Sequence, residues 1–216
     1  MRKIIITIAI LLSNSSFAEY GPLELYELII KADKIVYGKI DSLSSKDFFL
    51  IIEGSLTNDT GLIKVRKFED WEDASRWTKY KIGQKVLLFL KEREGENFVM
   101  SGGNEGELPI VDNDIYISGF SIRLPPPPNM EMPKRVYFEI EHYKKIYGEE
   151  FWGAKLDFFG FLNTVSEVRR CFDFDYGMYN LPSNWKLKCD TEEITRSNNK
   201  ILIWTYEEMK GYENQR

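Results

Sequence analysis

The segment Ser101 to Ile110, SGGNEGELPI, gathers more potential chemistry than any other stretch of the chain. Gly102, Gly103 and Gly106 permit positive φ and close backbone approach, while Asn104, Glu105 and Glu107 offer polar tips. Such a loop suits a rim that grips a ligand, a partner or a calcium ion, with Asp112 and Asp114 as further oxygens. It lacks the regular oxygen register of an EF-hand, and a tight bulge or turn between two strands would use the same glycines for geometry alone. A second candidate is aromatic. Trp71, Trp77 and Tyr80 can form a stacking platform for a ligand or, set among Glu69, Asp70, Glu72 and Asp73, cover the open end of a barrel with a short helix.

Catalytic devices are thinly represented. A Ser-His or Cys-His pair would depend on His142, the single histidine, which sits in the charged run EIEHYKK. The GxSxG, HExxH, Walker and dinucleotide-binding motifs do not occur. No catalytic residue is therefore assigned, although a carboxylate-dependent hydrolase stays open because acids are numerous. One histidine and two cysteines fall short of a zinc ligand set, so neither metal nor cofactor is expected.

The address of the chain follows from its start. Met1-Arg2-Lys3 is basic, Ile4 to Leu12 is apolar except for Thr7, and Ser16-Phe17-Ala18 has small residues where a signal peptidase reads. The apolar run is about half of what a spanning helix needs, which predicts a cleavable signal over residues 1–18 and a mature chain from Glu19 without a membrane span. The expected location is periplasmic or secreted. There, Cys171 and Cys189 are most simply one disulfide, worth about 3 kcal/mol by the chain-entropy argument. A free nucleophile or half of a metal site are the rival readings. The full chain has a net charge of −5, made more negative by losing Arg2 and Lys3. With no basic run, nucleic acid is excluded as a partner, leaving a protein or another extracytoplasmic ligand.

These residues must be positioned by recognisable elements. Leu25, Leu28, Ile29 and Ala32 predict a short helix, followed by strands at Lys34–Ile40, Asp47–Leu56, Leu62–Phe68, Lys85–Glu92 and Phe98–Met100. The nearly all-apolar KVLLFLKE predicts a central strand buried on both faces. One or two more strands are expected in Leu108–Ser118, across Asp112-Asn113-Asp114. Short strands with tight turns describe a small antiparallel barrel over residues 19–124. Pro125 to Pro128 then predict a stiff connector, residues 125–133, before a helical region at 134–216.

In that region Val136, Ile140, Tyr143 and Tyr147 share one helix face, and Leu156, Phe159, Leu162, Val165, Val168 and Phe172 share another. Asp190 followed by Glu193 reads as the start of a third helix through Ile194 and Ile201 towards Met209, unless Ile201–Trp204 is a strand. The disulfide would close a helical hairpin across the turn-rich loop Asp173 to Lys188. The fold class expected is α+β.

Residues 23–120 resemble the netrin-module and TIMP-like secreted proteins. The likeness rests on the order helix, ADKIVYGKI (Ala32 to Ile40), a long strand, LIKVRKF and GQKVLLFLKE (Gly83 to Glu92), followed by a hairpin. It implies an OB-type five-stranded barrel. A TIMP-type inhibitor places an N-terminal cysteine on its protease's zinc, whereas the mature chain here would begin Glu19-Tyr20-Gly21-Pro22. The resemblance therefore implies the fold and not that inhibition, and the expected function is non-catalytic binding through the barrel rim and the loop Gly102 to Glu107, with a purely structural envelope component as a further alternative.

Overall fold

The computed structural model describes residues 23–70, 75–101, 105–119, 121–122, 146, 153–176 and 182–213. The signal segment, the proline run and the helix expected around Val136 to Tyr147 lie outside them, apart from Ile146. The described chain is α+β, as expected. Helix α1 (Leu25–Lys31) precedes seven strands: β1 (Lys34–Leu43), β2 (Asp47–Ser55), β3 (Leu62–Arg66), β4 (Lys85–Arg93), β5 (Glu96–Val99), β6 (Glu107–Val111) and β7 (Asp114–Ser118). Then come β8 (Gly153–Asp157), α2 (Phe158–Cys171), β9 (Phe172–Tyr176), β10 (Pro182–Leu187), α3 (Thr191–Thr195) and α4 (Lys200–Glu213).

Strands β1-β2-β3-β5-β4 follow one another around a closed barrel, because β1 pairs with both β2 and β4. One seam differs from the expected antiparallel arrangement: β3 and β5 run parallel, Val65 opposite Asn97 and Arg66 opposite Phe98, so the barrel is mixed. Between β4 and β5 the connection is only Glu94-Gly95, both at positive φ, the two-residue turn that matches strand twist. Closure depends on β1 bending, and its register against β2 shifts at Gly38. A Cβ on Gly38 would lie 1.9 Å from the Ile51 carbonyl oxygen, so only glycine lets the two backbones approach there.

The apolar run of β4 has two destinations. Val86, Leu88 and Leu90 fill the barrel with Val36, Ile40, Phe48, Leu50, Ile63 and Val65. Leu87 and Phe89 point outwards into a second core with α1, α2, α4, β6 and β7. Both faces are thus buried, as the sequence predicts. On this outer side Tyr26 meets Trp204 edge-on at 5.2 Å, and the guanidinium of Arg169 on α2 donates to the Ile29 and Ala32 carbonyls at the end of α1. That bond satisfies acceptors with no partner inside the helix.

The C-terminal region is knitted into the same sheet, since β8 pairs with β7 from Asp114↔Asp157 to Ser118↔Gly153. Leu156 therefore belongs to a strand, and the expected helix begins two residues later, where Asp157 accepts from the Gly160 N–H at 2.6 Å. That cap resets the phase. Phe158, Phe161, Val165, Val168 and Cys171 form the buried face, leaving Phe159 60% exposed.

The expected disulfide joins Cys171 to Cys189, with 4.8 Å between the Cα atoms. It closes the base of the β9–β10 hairpin, a correction to the turn-rich loop expected between them. Asp190 caps α3 through the Glu192 N–H, but the single expected helix is split. Asn199 restarts the chain as α4 by accepting from the Leu202 N–H, while its amide donates to Thr164 and Glu167 of α2. Short polar side chains in Ser197-Asn198-Asn199 favour such caps over continued helix.

Gly38→Ala should lower the unfolding free energy by about 3 kcal/mol, the upper range for forcing atoms into a filled site. Gly61→Asn, at φ +84° with no atom within 4 Å of a built Cβ, should change it by less than about 1 kcal/mol. Urea denaturation followed by circular dichroism measures both, and equal losses would remove the closure argument.

Candidate functional site

The glycine-rich segment owes its composition to a crossing of chains. At Phe89 the outer edge of β4 passes from one neighbour to another: Met100 N–H donates to the Phe89 carbonyl, and Phe89 N–H donates to the Gly106 carbonyl. The chain leaves the barrel after β5 and returns as β6 within a few residues, so Gly106 lies directly against Met100. A Cβ on Gly106 would sit 2.1 Å from the Met100 carbonyl oxygen. Gly102, Gly103 and Asn104 lie outside the described residues.

Glu105 and Glu107 do not present polar tips at the rim, which corrects the expectation. Glu105 is 2% exposed; its carboxylate accepts from the Ser101 hydroxyl and from the Leu23 N–H at 3.3 Å, tying down the entry to α1. Glu107 is fully buried beneath the β3–β4 connection. Its Oε1 receives Arg76 Nε at 3.0 Å and Nη2 at 2.5 Å, its Oε2 receives the Tyr80 hydroxyl, and its carbonyl receives Trp77 Nε1 at 3.0 Å.

The Arg76 guanidinium makes four hydrogen bonds. Besides Glu107 it donates to the Thr78 carbonyl and to Gln84 Oε1, and it lies 4.0 Å from the ring centroids of both Trp77 and Tyr80. Trp77 packs on the barrel core. Of the two aromatic readings, the barrel cover is the one this geometry fits, although no helix is present among the described residues of the segment. Trp71 and His142 lie outside the described residues. Burial, and then the Glu107 carboxylate, push the Tyr80 phenol well above the ordinary tyrosine range. The arrangement is an internally hydrogen-bonded plug.

The surface open to a partner lies elsewhere. Because Phe48, Leu50, Ile63 and Val65 face the barrel interior, their neighbours Phe49, Ile51, Leu62, Lys64 and Arg66 face outwards. Ile51 and Leu62 are directly paired across β2 and β3, and they are 47% and 59% exposed. Phe49 is half-buried beside them, opposite Lys64. Charges border this ridge: Asp47 between Lys64 and Arg66, and Lys85 with Glu53. No residue of β2 or β3 belongs to the outer core that the helices cover.

None of these three apolar residues was singled out by sequence reasoning. The signal was present in FFLII, Phe48 to Ile52, an unbroken apolar run that announces two apolar faces. Two shallow grooves flank β5 as well. One, of about 460 Å³, is lined by Lys31, Lys91, Arg93, Phe98 and Met100 among others; the second, about 330 Å³, includes Arg66, Lys67 and Glu69.

Arg76→Met should destabilise the protein by about 3–5 kcal/mol, because it leaves Glu107 charged, buried and uncompensated. Adding Glu107→Met should recover part of that loss, so that the double variant is more stable than the sum of the single losses predicts in a urea-denaturation cycle. The Tyr80 phenol gives a pH test. Folding favours its neutral form, so this contribution is intact below the ordinary tyrosine pKa of about 10 and is lost as pH climbs beyond it. The stability advantage of wild type over Tyr80→Phe should hold steady from pH 7 to about 9.5 and shrink above pH 10.

No protein-family model matches the chain, and neither a curated protein nor a solved structure does.

Proposed function

We propose that the chain is an exported, non-catalytic binding protein that engages a partner through the outer face of β2 and β3. The observation that carries this reading is the apolar ridge of Ile51 and Leu62 with Phe49, held open on a rigid barrel and bordered by charge. Contiguous exposed apolar surface rimmed by polar residues marks interaction sites. Export is supported by the Cys171–Cys189 disulfide, which fits an oxidising compartment, and by the signal-like start of the sequence. No described helix is long and apolar enough to cross a membrane. A periplasmic or secreted location accommodates both observations.

The strand order β1-β2-β3-β5-β4, closed by β1 with β4, supports an OB-type assignment and with it the netrin-module resemblance. In that fold the face of strands 2 and 3 is a recurrent binding surface, which agrees with the position of the ridge. A carboxylate-dependent hydrolase would need two acids converging on a cleft. Glu105 and Glu107 are held in separate internal contacts, and Glu69 is the one acid lining the two grooves described above.

Photo-crosslinking in the native host tests the proposal. A photoreactive residue at Ile51 should yield a discrete adduct that Leu62→Asp abolishes, while the same group at Phe159, also exposed, should not. Adducts identical from both positions, or none from Ile51, would favour a purely structural envelope component.

A further inference from the structure

The outer surface of β3, β5 and β4 differs from the β2–β3 ridge in both shape and charge. Register places Phe98 opposite Arg66 on one side and opposite Lys91 on the other, so an aromatic ring stands between two cations in adjacent strands. On the β4 side the 460 Å³ groove opens, lined by Lys31, Lys91 and Arg93 around Phe98 and Met100, and among the described residues no carboxylate lines it. The chain as a whole carries net charge −5, so three cations around one groove run against its average. The volume lies within the range of small-molecule sites, roughly 300–1,000 Å³.

Glu27 holds Lys31 at 2.6 Å and Asp33 holds Lys91 at 2.8 Å, which orients both ammonium groups. The Lys91–Asp33 pair is partly open to water, so an arriving anion can share its lysine at a cost of at most about 1 kcal/mol, whereas the Lys31–Glu27 pair is largely buried. Arg93 makes no ion pair among the described residues, and its guanidinium can offer a planar fork to a carboxylate, sulfonate or phosphate. Phe98, half-buried, supplies an apolar floor for a ring. Across Phe98, Arg66 and Lys67 line the second groove.

We propose that the groove around Lys31, Lys91, Arg93 and Phe98 binds a small organic anion, an acidic group attached to a ring. The site is distinct from the β2–β3 face and does not depend on the function proposed for it. Titration of the purified protein with the aromatic sulfonate 8-anilinonaphthalene-1-sulfonate, read by fluorescence, provides the test. Uncharged N-phenyl-1-naphthylamine and inorganic sulfate serve as the ring-only and anion-only arms.

Saturable binding of one equivalent is expected, weakened about tenfold by Arg93→Glu and by Phe98→Ala, and unchanged in Ile51→Asp/Leu62→Asp. Circular dichroism checks each fold, and Arg93→Glu decides the outcome if Phe98→Ala unfolds. Sulfonate binding insensitive to Arg93→Glu, or lost in the Ile51/Leu62 variant, would overturn the proposal. So would naphthylamine binding of equal strength, or inorganic sulfate displacing the probe as well as an aromatic sulfonate does.

Discussion

Strand β1 has to satisfy two neighbours at once, and the rest of the molecule is arranged around that demand. It pairs with β2 along most of its length and with β4 from Lys34 to Lys39, which is possible only if the strand coils sharply. Gly38 supplies the bend by admitting the Ile51 carbonyl where any side chain would collide. Once β1 and β4 are joined, β4 has a barrel on one face and needs a cover on the other. The helices supply that cover through Leu87 and Phe89, and the opposite wall of the barrel, β2 and β3, remains outside. The position of the candidate binding face is therefore a consequence of how the barrel closes.

Closing the wall leaves the barrel's end to be filled, and here a charged pair does what an apolar residue could have done. Arg76 and Glu107 each lose hydration on burial, a cost their mutual attraction offsets only with full hydrogen bonding. Thr78, Gln84, Tyr80 and Trp77 provide it, and the two aromatic rings flank the guanidinium. A network of this kind adds little net stability over a packed apolar plug. It fixes a geometry instead: one carboxylate on β6 determines where the β3–β4 connection must lie. Glu105, two residues earlier, applies the same logic to the start of α1. The acids that look reactive in the sequence hold the scaffold's joints.

Much of this was legible from patterns whose cause is local. Alternation in LIKVRKF and the all-apolar KVLLFLKE correspond to β3 and β4 because each reflects burial within a few residues. The disulfide followed from compartment and count. What escaped depends on distant partners. The parallel β3–β5 seam joins segments about thirty residues apart with no local signature. Phe159 looked buried because the helical phase was counted from Leu156, whereas β8 pairing with β7 delays the helix to Asp157's cap. Glu105 and Glu107 looked exposed because nothing in SGGNEGELPI reveals that β4 lies beneath it.

A closed barrel also limits how a partner can be recognised. Its five strands pair around the ring, so recognition there falls to outward side chains more than to strand addition at an open edge. Burying Ile51 and Leu62 against a partner would each recover a fraction of the roughly 1.5–3 kcal/mol that full burial of such a side chain provides. Left in water, the same pair is an association hazard, and a net charge of −5 opposes it by keeping copies apart. Lys64, Arg66 and Asp47 at the border would orient a docking partner, since charges at a rim select the partner and its register more than they add affinity. An apolar ridge of paired side chains beside a charged border that would orient a partner is the physical case for the binding role proposed.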